Sequence, residues 1–441
     1  LVGSEMCIRD RYVNMGKSDL YGGTLQTALD MTAQYYSYYD ISECPYGHYQ
    51  TFEYEHPSCT AISDALWMRI YYCIGLTNNL LKYLDKPEAV QICSNYDYLR
   101  GEALALRAYL HFELIRIFAP DVKKNPEYKS IPYRKTFSPD IEPQLKVKEV
   151  YQEILADLTE AKQLLSNDVI RTNGPDWLGE SEKKEESDDV TDKNEGYYTS
   201  DFLKTRKYRM NYYAVLGTLA RVHLTLGTTD DMEKAYDYAM EVIESGKFRP
   251  IQEEHILVSG EQAKYRDILF TDEFIFGLYS AQVDAFYKSN FDESYRVEKI
   301  LINKLSDIYG QGTRDLRQTH WFKTSWGTSY LLKHNADLEY AKEKVRMITL
   351  AEMYYIAAEA HPAEAYDLLE EILPSREIHS SLPVNAGRTE VLTEVLKEYR
   401  KEYIGDGQFF YAYKRLIEEE AAILPLGINI PNENKVLVWP L

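Results

Sequence analysis

The sequence predicts a mainly α fold: tetratricopeptide-like helix pairs stacked into an α–α superhelical scaffold, with an irregular C-terminal half of short strands and loops. Three observations predict it. Between Tyr98 and Ala119 runs an unbroken helical stretch, YLRGEALALRAYLHFELIRIFA, apolar around most of its circumference. Residues 212–245 read as two amphipathic helices spanning the ~34-residue period of a helical hairpin, with a weaker copy at 347–373. Between Gly246 and Val345 the texture changes to short alternating runs and loops.

The long helix carries Leu99, Ala103, Leu106, Leu110 and Leu114 on one stripe, and Ala108, Phe112, Ile115 and Phe118 widen the apolar surface. Such a helix is packed from two sides rather than laid on a surface. Pro120 stops it, because its ring cannot continue the ladder and pushes Ala119 toward extended geometry. The polar residues Arg100, Glu102, Arg107, His111, Glu113 and Arg116 must then meet partners inside the protein or reach solvent.

Ahead of this helix the pattern predicts another over 19–39 that runs into aromatic residues. A loop follows from Ile41 to Thr60, broken by Cys44, Pro45, Gly47, Pro57 and Cys59. An apolar helix then spans 61–84, with Asn78 and Asn79 in its interior, where amides tie to neighbouring backbone. After the long helix, Pro126, Pro132, Pro139 and Pro143 mark an irregular crossing to a helix over 147–165. Residues 174–196 are an acidic, low-complexity insertion that reads as a mobile, solvated loop. In the 212–245 hairpin, Ala214, Gly217, Ala220, Ala235 and Ala239 sit where two helices approach closely. Helix pairs cannot bury their apolar faces alone, so they stack. Four are expected: 61–119, 147–165 with a partner, 212–245 and 347–373. Between them EFIFGLYS reads as a strand, AFYKSNFDESY as an aromatic loop, and 326–332 as a strand pair.

The chain has 441 residues and a formal net charge of −20, a field that repels nucleic acid. Cys7, Cys44, Cys59, Cys73 and Cys93 form no zinc spacing; Cys44 and Cys59 lie where a loop disulfide is feasible but nothing demands it. No run of about 18 apolar residues marks a membrane-spanning helix. No Gly-x-Ser-x-Gly elbow, H-E-x-x-H helix or Walker loop appears, so neither an enzyme nor a cofactor or metal site is expected. His111 and His223 lie on apolar helices and read as packed residues. The opening LVGSEMCIRDR has no apolar signal core and no lipoprotein box before Cys7. It resembles translated sequencing adapter, and residues 1–11 are expected to be an assembly artefact replacing the true start.

Five stretches, in order, resemble one family, the SusD/RagB nutrient-binding lipoproteins of Bacteroidetes-type bacteria. LRGEALALRAYLHFELIRIFAP is similar to its E-A-x-x-L-R-A helix, and DALWMRIYYCIGLTNNLL to its W-x-x-x-Y-x-x-I-x-x-x-N helix. RMNYYAVLGTLARVHLTLG, RMITLAEMYYIAAEA and VLKEYRKEYIGDGQFFYAYKR complete the set. Two positions depart: the family's E-R is Tyr399-Arg400 here, and its G-x-R is Gly407-Gln408-Phe409. The resemblance implies a SusD-like N-terminal region over 12–226 and a RagB/SusD C-terminal region over 227–441. It implies a non-catalytic, surface-exposed outer-membrane lipoprotein that binds a glycan or other nutrient and delivers it to a SusC-like TonB-dependent transporter. The lipid anchor it implies is not in this sequence.

Sugar binding needs flat aromatic faces for the apolar side of the ring and planar amides or carboxylates for the hydroxyls. Loops can supply these better than helix stripes. The first candidates are Tyr38, Tyr39, Tyr46, Tyr49 and Tyr54, ahead of the Trp67 helix, where the family often contributes to its ligand site. The second are Phe286, Tyr287, Phe291 and Tyr295, with Asn290 and Asp292 as hydroxyl partners. Trp326, in a Gly-flanked turn, is the third, whereas Trp321 reads as structural. The competing expectation is a tetratricopeptide-type scaffold whose open concave face holds a peptide or protein.

Overall fold

The computed structural model describes residues 2–37, 44–93, 95–178, 202–291, 301–302, 305–325, 328–334, 337–417, 430–431 and 433–440. The chain opens with α1 (Val2–Met15), α2 (Thr24–Thr32) and the two-residue strand β1 (Tyr36–Ser37). Next come α3 (Pro57–Leu84), α4 (Tyr96–Phe118), α5 (Val147–Leu164), α6 (Tyr212–Leu226) and α7 (Thr229–Glu244). The mixed section holds β2 (Phe274–Tyr279), α8 (Val283–Phe291), β3 (Leu301–Ile302), β4 (Phe322–Ser325), β5 (Thr328–Leu331) and β6 (Lys344–Thr349). The last helices are α9 (Leu350–Ala360), α10 (Ala365–Ile372), α11 (Arg388–Glu402) and α12 (Phe409–Leu416).

The helices stack as a row in which α3, α4, α5, α6, α7, α9 and α10 each pack on the next. Three of the expected pairs are present. The fourth is replaced by continuity, because α5 lies between α4 and α6, which cover its apolar stripe. Every residue of α4 from Gly101 to Phe118 is buried, as a helix packed from two sides requires. Ala119 is extended, with φ −131° and ψ 154°, as the following Pro120 dictates. Gly227, at φ 68°, ends α6 in the left-handed region, and the Thr228 hydroxyl accepts from the Asp231 amide to start α7.

The polar residues of α4 find partners inside the protein. Arg107 forks onto Asp157 of α5 and also donates to Asn78 of α3 at 3.2 Å. Asn78 in turn donates to the Arg134 carbonyl at 3.0 Å, so the amide inside α3 does tie to backbone. Glu102 pairs with Arg206, and Glu113 receives Arg116 at 3.1 Å and the Tyr21 hydroxyl at 2.9 Å. An unpaired buried charge costs several kcal/mol, on the order of what its partners return. His111 donates from Nδ1 to the Arg107 carbonyl and accepts the Arg134 amide on Nε2, so it is a packed residue.

Several boundaries differ from the sequence expectation. The first expected helix, 19–39, is only the nine-residue α2, because Gly23 at φ 157° starts it late and Tyr36 turns into a strand. Pro57 does not break the chain but occupies the first turn of α3, where its missing N–H costs nothing. The described part of the run expected as an aromatic loop, 285–291, lies in α8, started by the Ser280 hydroxyl accepting from the Val283 amide at 3.1 Å. Met347 to Thr349 belong to β6 rather than to a helix, because β6 pairs antiparallel with β2. Trp321 ends a short helix, fully buried, with its indole N–H donating to the Ile268 carbonyl at 2.6 Å. Cys44 and Cys59 are free thiols. Helix α1 runs through the boundary expected at residue 11, with Ile8 buried and the Arg11 guanidinium on the Leu76 carbonyl. The acidic insertion lies mostly outside the described residues.

Candidate functional site

Most of the described part of the nominated aromatic set is core, with Phe286 half-buried against it. Tyr49 is 0 % exposed and its hydroxyl donates to the Cys59 carbonyl at 3.0 Å, while Trp439 packs on its ring at 4.5 Å. Tyr54 donates to the Val436 carbonyl at 2.7 Å, and Tyr46 is buried beside Thr24. Tyr287 stacks on Phe291 at 5.0 Å and on His334 at 4.0 Å, and its hydroxyl donates to the Gly405 carbonyl. Asn290 turns back onto the Phe286 carbonyl of its own helix. Asn290 is only half-buried, whereas Tyr46, Tyr49, Tyr54, Tyr287 and Phe291, which the sequence expectation presents to a ligand, are buried. Their rings carry enough apolar area that folding buries them first. Tyr38, Tyr39, Asp292, Tyr295 and Trp326 lie outside the described residues.

Stems of chain beside those five positions pack together. Strand β1 pairs antiparallel with β3, Tyr36 opposite Ile302 and Ser37 opposite Leu301. The Phe291 ring meets the Tyr36 ring at 5.2 Å. Strand β3 lies against β5, which pairs with β4 from Phe322–Leu331 to Ser325–Thr328. So the stems that precede 38–43, flank 292–300 and bracket 326–327 form one cluster.

Beside that cluster is a surface depression of about 590 Å³ lined by Ser306, Asp307, Ile308, Tyr309, Gly310, Lys397 and Lys401. The Tyr309 ring packs on Phe322 at 5.6 Å and its hydroxyl donates to the Lys401 carbonyl at 2.7 Å. The lining offers a carboxylate, ammonium groups and a serine hydroxyl, which suits a polyhydroxylated ligand. No local signal marks it in the sequence, because Lys397 and Lys401 meet the 306–310 turn only through tertiary packing.

Electrostatics anchors the cluster from below. The Asp30 carboxyl accepts the amides of Gly405 at 2.7 Å and Gly407 at 3.1 Å, and the Tyr36 hydroxyl at 2.9 Å. Burial pushes it up to about 8. Lys333 bridges Asp406 at 2.9 Å and two carbonyls, and burial lowers it to about 8. Arg317, Arg346 and Arg376 all converge on Glu402, whose carboxyl their charges hold well below the usual range against the cost of its burial. Glu398 and Glu402 therefore hold α11 against the mixed section. Among the described residues no group of three or more His, Cys, Asp or Glu side chains is arranged to hold a metal ion.

A family model described as SusD-like, starch-binding associating with outer membrane, matches residues 13–174. The architecture extends the likeness to the whole chain. A SusD superfamily protein from Bacteroides fragilis superposes with a TM-score of 0.72 at 19% identity, covering 100% of this chain and 95% of that one. The fold is SusD-like. A SusD superfamily protein from Bacteroides thetaiotaomicron gives 0.69 at 20% identity, with 94% and 88% covered. A SusD-like carbohydrate binding protein from Bacteroides vulgatus gives 0.68 at 19% identity, with 94% and 83% covered. No curated protein matches the sequence. In this SusD-like fold the α4 motif is a scaffold element that touches its own chain throughout.

Proposed function

We propose that this protein is a non-catalytic glycan-binding protein of the outer-membrane surface, which passes its ligand to a SusC-like TonB-dependent transporter. The SusD-like fold over nearly the whole chain carries the reading, together with the family's starch-binding, outer-membrane description. The anchoring lipid and the transporter are the finer parts of the proposal. Among the described residues no helix is long and apolar enough to cross a membrane.

One observation favours this over a peptide-holding scaffold. The C-terminal half occupies the row of helices: Lys414 of α12 donates to the Arg116 and Ala119 carbonyls, and Trp439 donates its amide to the Ile117 carbonyl. A peptide groove at this point is already filled. The ligand end is then the strand-stem cluster with its depression. Calorimetric titration against soluble starch and a panel of other polysaccharides tests the reading. Binding to at least one, weakened by Lys401→Ala, is the expected result; no glycan binding alongside tight peptide binding overturns it.

A further inference from the structure

Many of the tyrosines are core residues, so the exposed ones stand out. Tyr279, Tyr340 and Tyr265 are 55, 43 and 42% exposed. Backbone connections bring the three together. Tyr279 ends β2 opposite Lys344 of β6. The Lys344 ammonium donates to the carbonyls of Glu339 at 2.9 Å and Tyr340 at 3.2 Å. The Glu339 amide donates to the Lys264 carbonyl at 2.8 Å, one residue before Tyr265.

The Tyr279 ring is also braced. Tyr208 lies against it with centroids 4.2 Å apart, and Phe274 meets the Tyr208 ring edge-on at 6.4 Å. A ring supported on one side and open on the other loses little freedom when a ligand covers it. Polar groups stand next to it. The Asp176 carboxylate is 2.6 Å from the Lys207 ammonium and 59% exposed. Lys207 directly precedes Tyr208, the residue whose ring lies against Tyr279. Asp176 and Glu339 offset two of the three charges of Lys207, Lys264 and Lys344, so the patch carries little net charge and does not select a strongly charged ligand.

We propose that this patch is a second sugar platform, in which Tyr279 stacks on a pyranose unit of a neutral glycan and the exposed Asp176 carboxylate, held by the buried Lys207, accepts from its hydroxyls. The aromatic face carries partial negative charge and meets the polarised C–H face of a sugar ring. A carboxylate fixed by a buried ammonium keeps its outward lone pairs as acceptors for adjacent hydroxyls. Tyr340 extends the contact to a neighbouring unit. The residues come from segments other than the strand-stem cluster and its depression. The choice of ligand rests on the glycan-binding reading, whereas the site does not.

The test places fluorotyrosine at position 279 of the full chain, with a second sample labelled at the exposed Tyr128 as reference. Each is titrated with maltoheptaose, xylohexaose and mannohexaose and read by fluorine NMR, with calorimetry in parallel. The expected result is a saturable shift at position 279, none at 128, and a several-fold weaker response in Asp176→Ala. A shift at 279 that survives Lys401→Ala supports the platform even if the depression binds nothing. Calorimetric binding with no response at 279 overturns the platform and leaves the glycan reading standing. No binding and no response to any of the three overturns it as well.

Discussion

Arg107 and Asp157 meet fork to fork across the α4–α5 interface, with Nε–Oδ2 and Nη2–Oδ1 both 2.7 Å. The Tyr133 hydroxyl donates to the same carboxylate at 2.5 Å, so three segments share one buried charge pair. Truncating one partner leaves the other charge buried without compensation. Asp157→Ala is therefore expected to cost about 3–5 kcal/mol in urea unfolding. A loss under about 1 kcal/mol, the scale of an exposed pair, would show that the pair is solvated in solution.

His111 makes stability depend on pH. It is buried, stacked on Tyr133 at 3.9 Å, and its Nε2 accepts a backbone amide, so only the neutral ring fits. Burial is the main cause that lowers its pKa from 6.5 to about 3. A histidine depressed in the folded state contributes stability that is fully present above the unfolded value and lost as pH falls through the folded one. Unfolding midpoints in urea should drop between about pH 6.5 and about pH 3, at up to about 1.4 kcal/mol per pH unit. His111→Gln should flatten that dependence over the same range.

Gly407 sits at φ 68°, where an added Cβ would lie 2.8 Å from the Cα of Gln26. Backbone cannot yield as a flexible side chain does. Gly407→Ala is expected to lose about 1–3 kcal/mol and to loosen the Asp30 bonds to the 405–407 turn. Gly246→Ala is the control, since Gly246 has φ 61° with nothing within 4 Å. A smaller loss at 246 than at 407, by differential scanning calorimetry, separates the clash from the strain of the left-handed backbone.

Tyr49 distinguishes a packed aromatic from a ligand-facing one. Tyr49→Phe removes the hydroxyl's hydrogen bonds to the Cys59 carbonyl and the Ser63 hydroxyl and should cost about 1–3 kcal/mol. Tyr49→Ala empties a closed site and should cost about 3–5 kcal/mol. Glycan affinity of the folded Tyr49→Phe protein should match the unsubstituted chain; a loss of more than about tenfold by calorimetry would return this ring to the ligand surface.

The helical row was legible because its signals are local. Apolar residues recur every three or four positions along α4, Pro120 ends it, and Gly227 separates α6 from α7. The site was less legible. Tyr46, Tyr49 and Tyr54 look like loop aromatics in sequence, and nothing near them states that Trp439 and Val436 will close over them. Equally, Tyr279 reads as one position of an alternating strand, and its exposure follows from where β2 stops against β6.

By itself the sequence determined the helices, their stops and the likeness to SusD-like proteins, since helix periodicity and breakers act within a few residues. Only the tertiary structure decided which aromatics are core and which lie open. Strands as short as β1 and β3 carry no periodic signal, and they exist because Tyr36 and Ile302, far apart in the chain, are brought together by the packed scaffold. Burial of a ring is a property of everything that surrounds it, and that information is distributed over the whole fold.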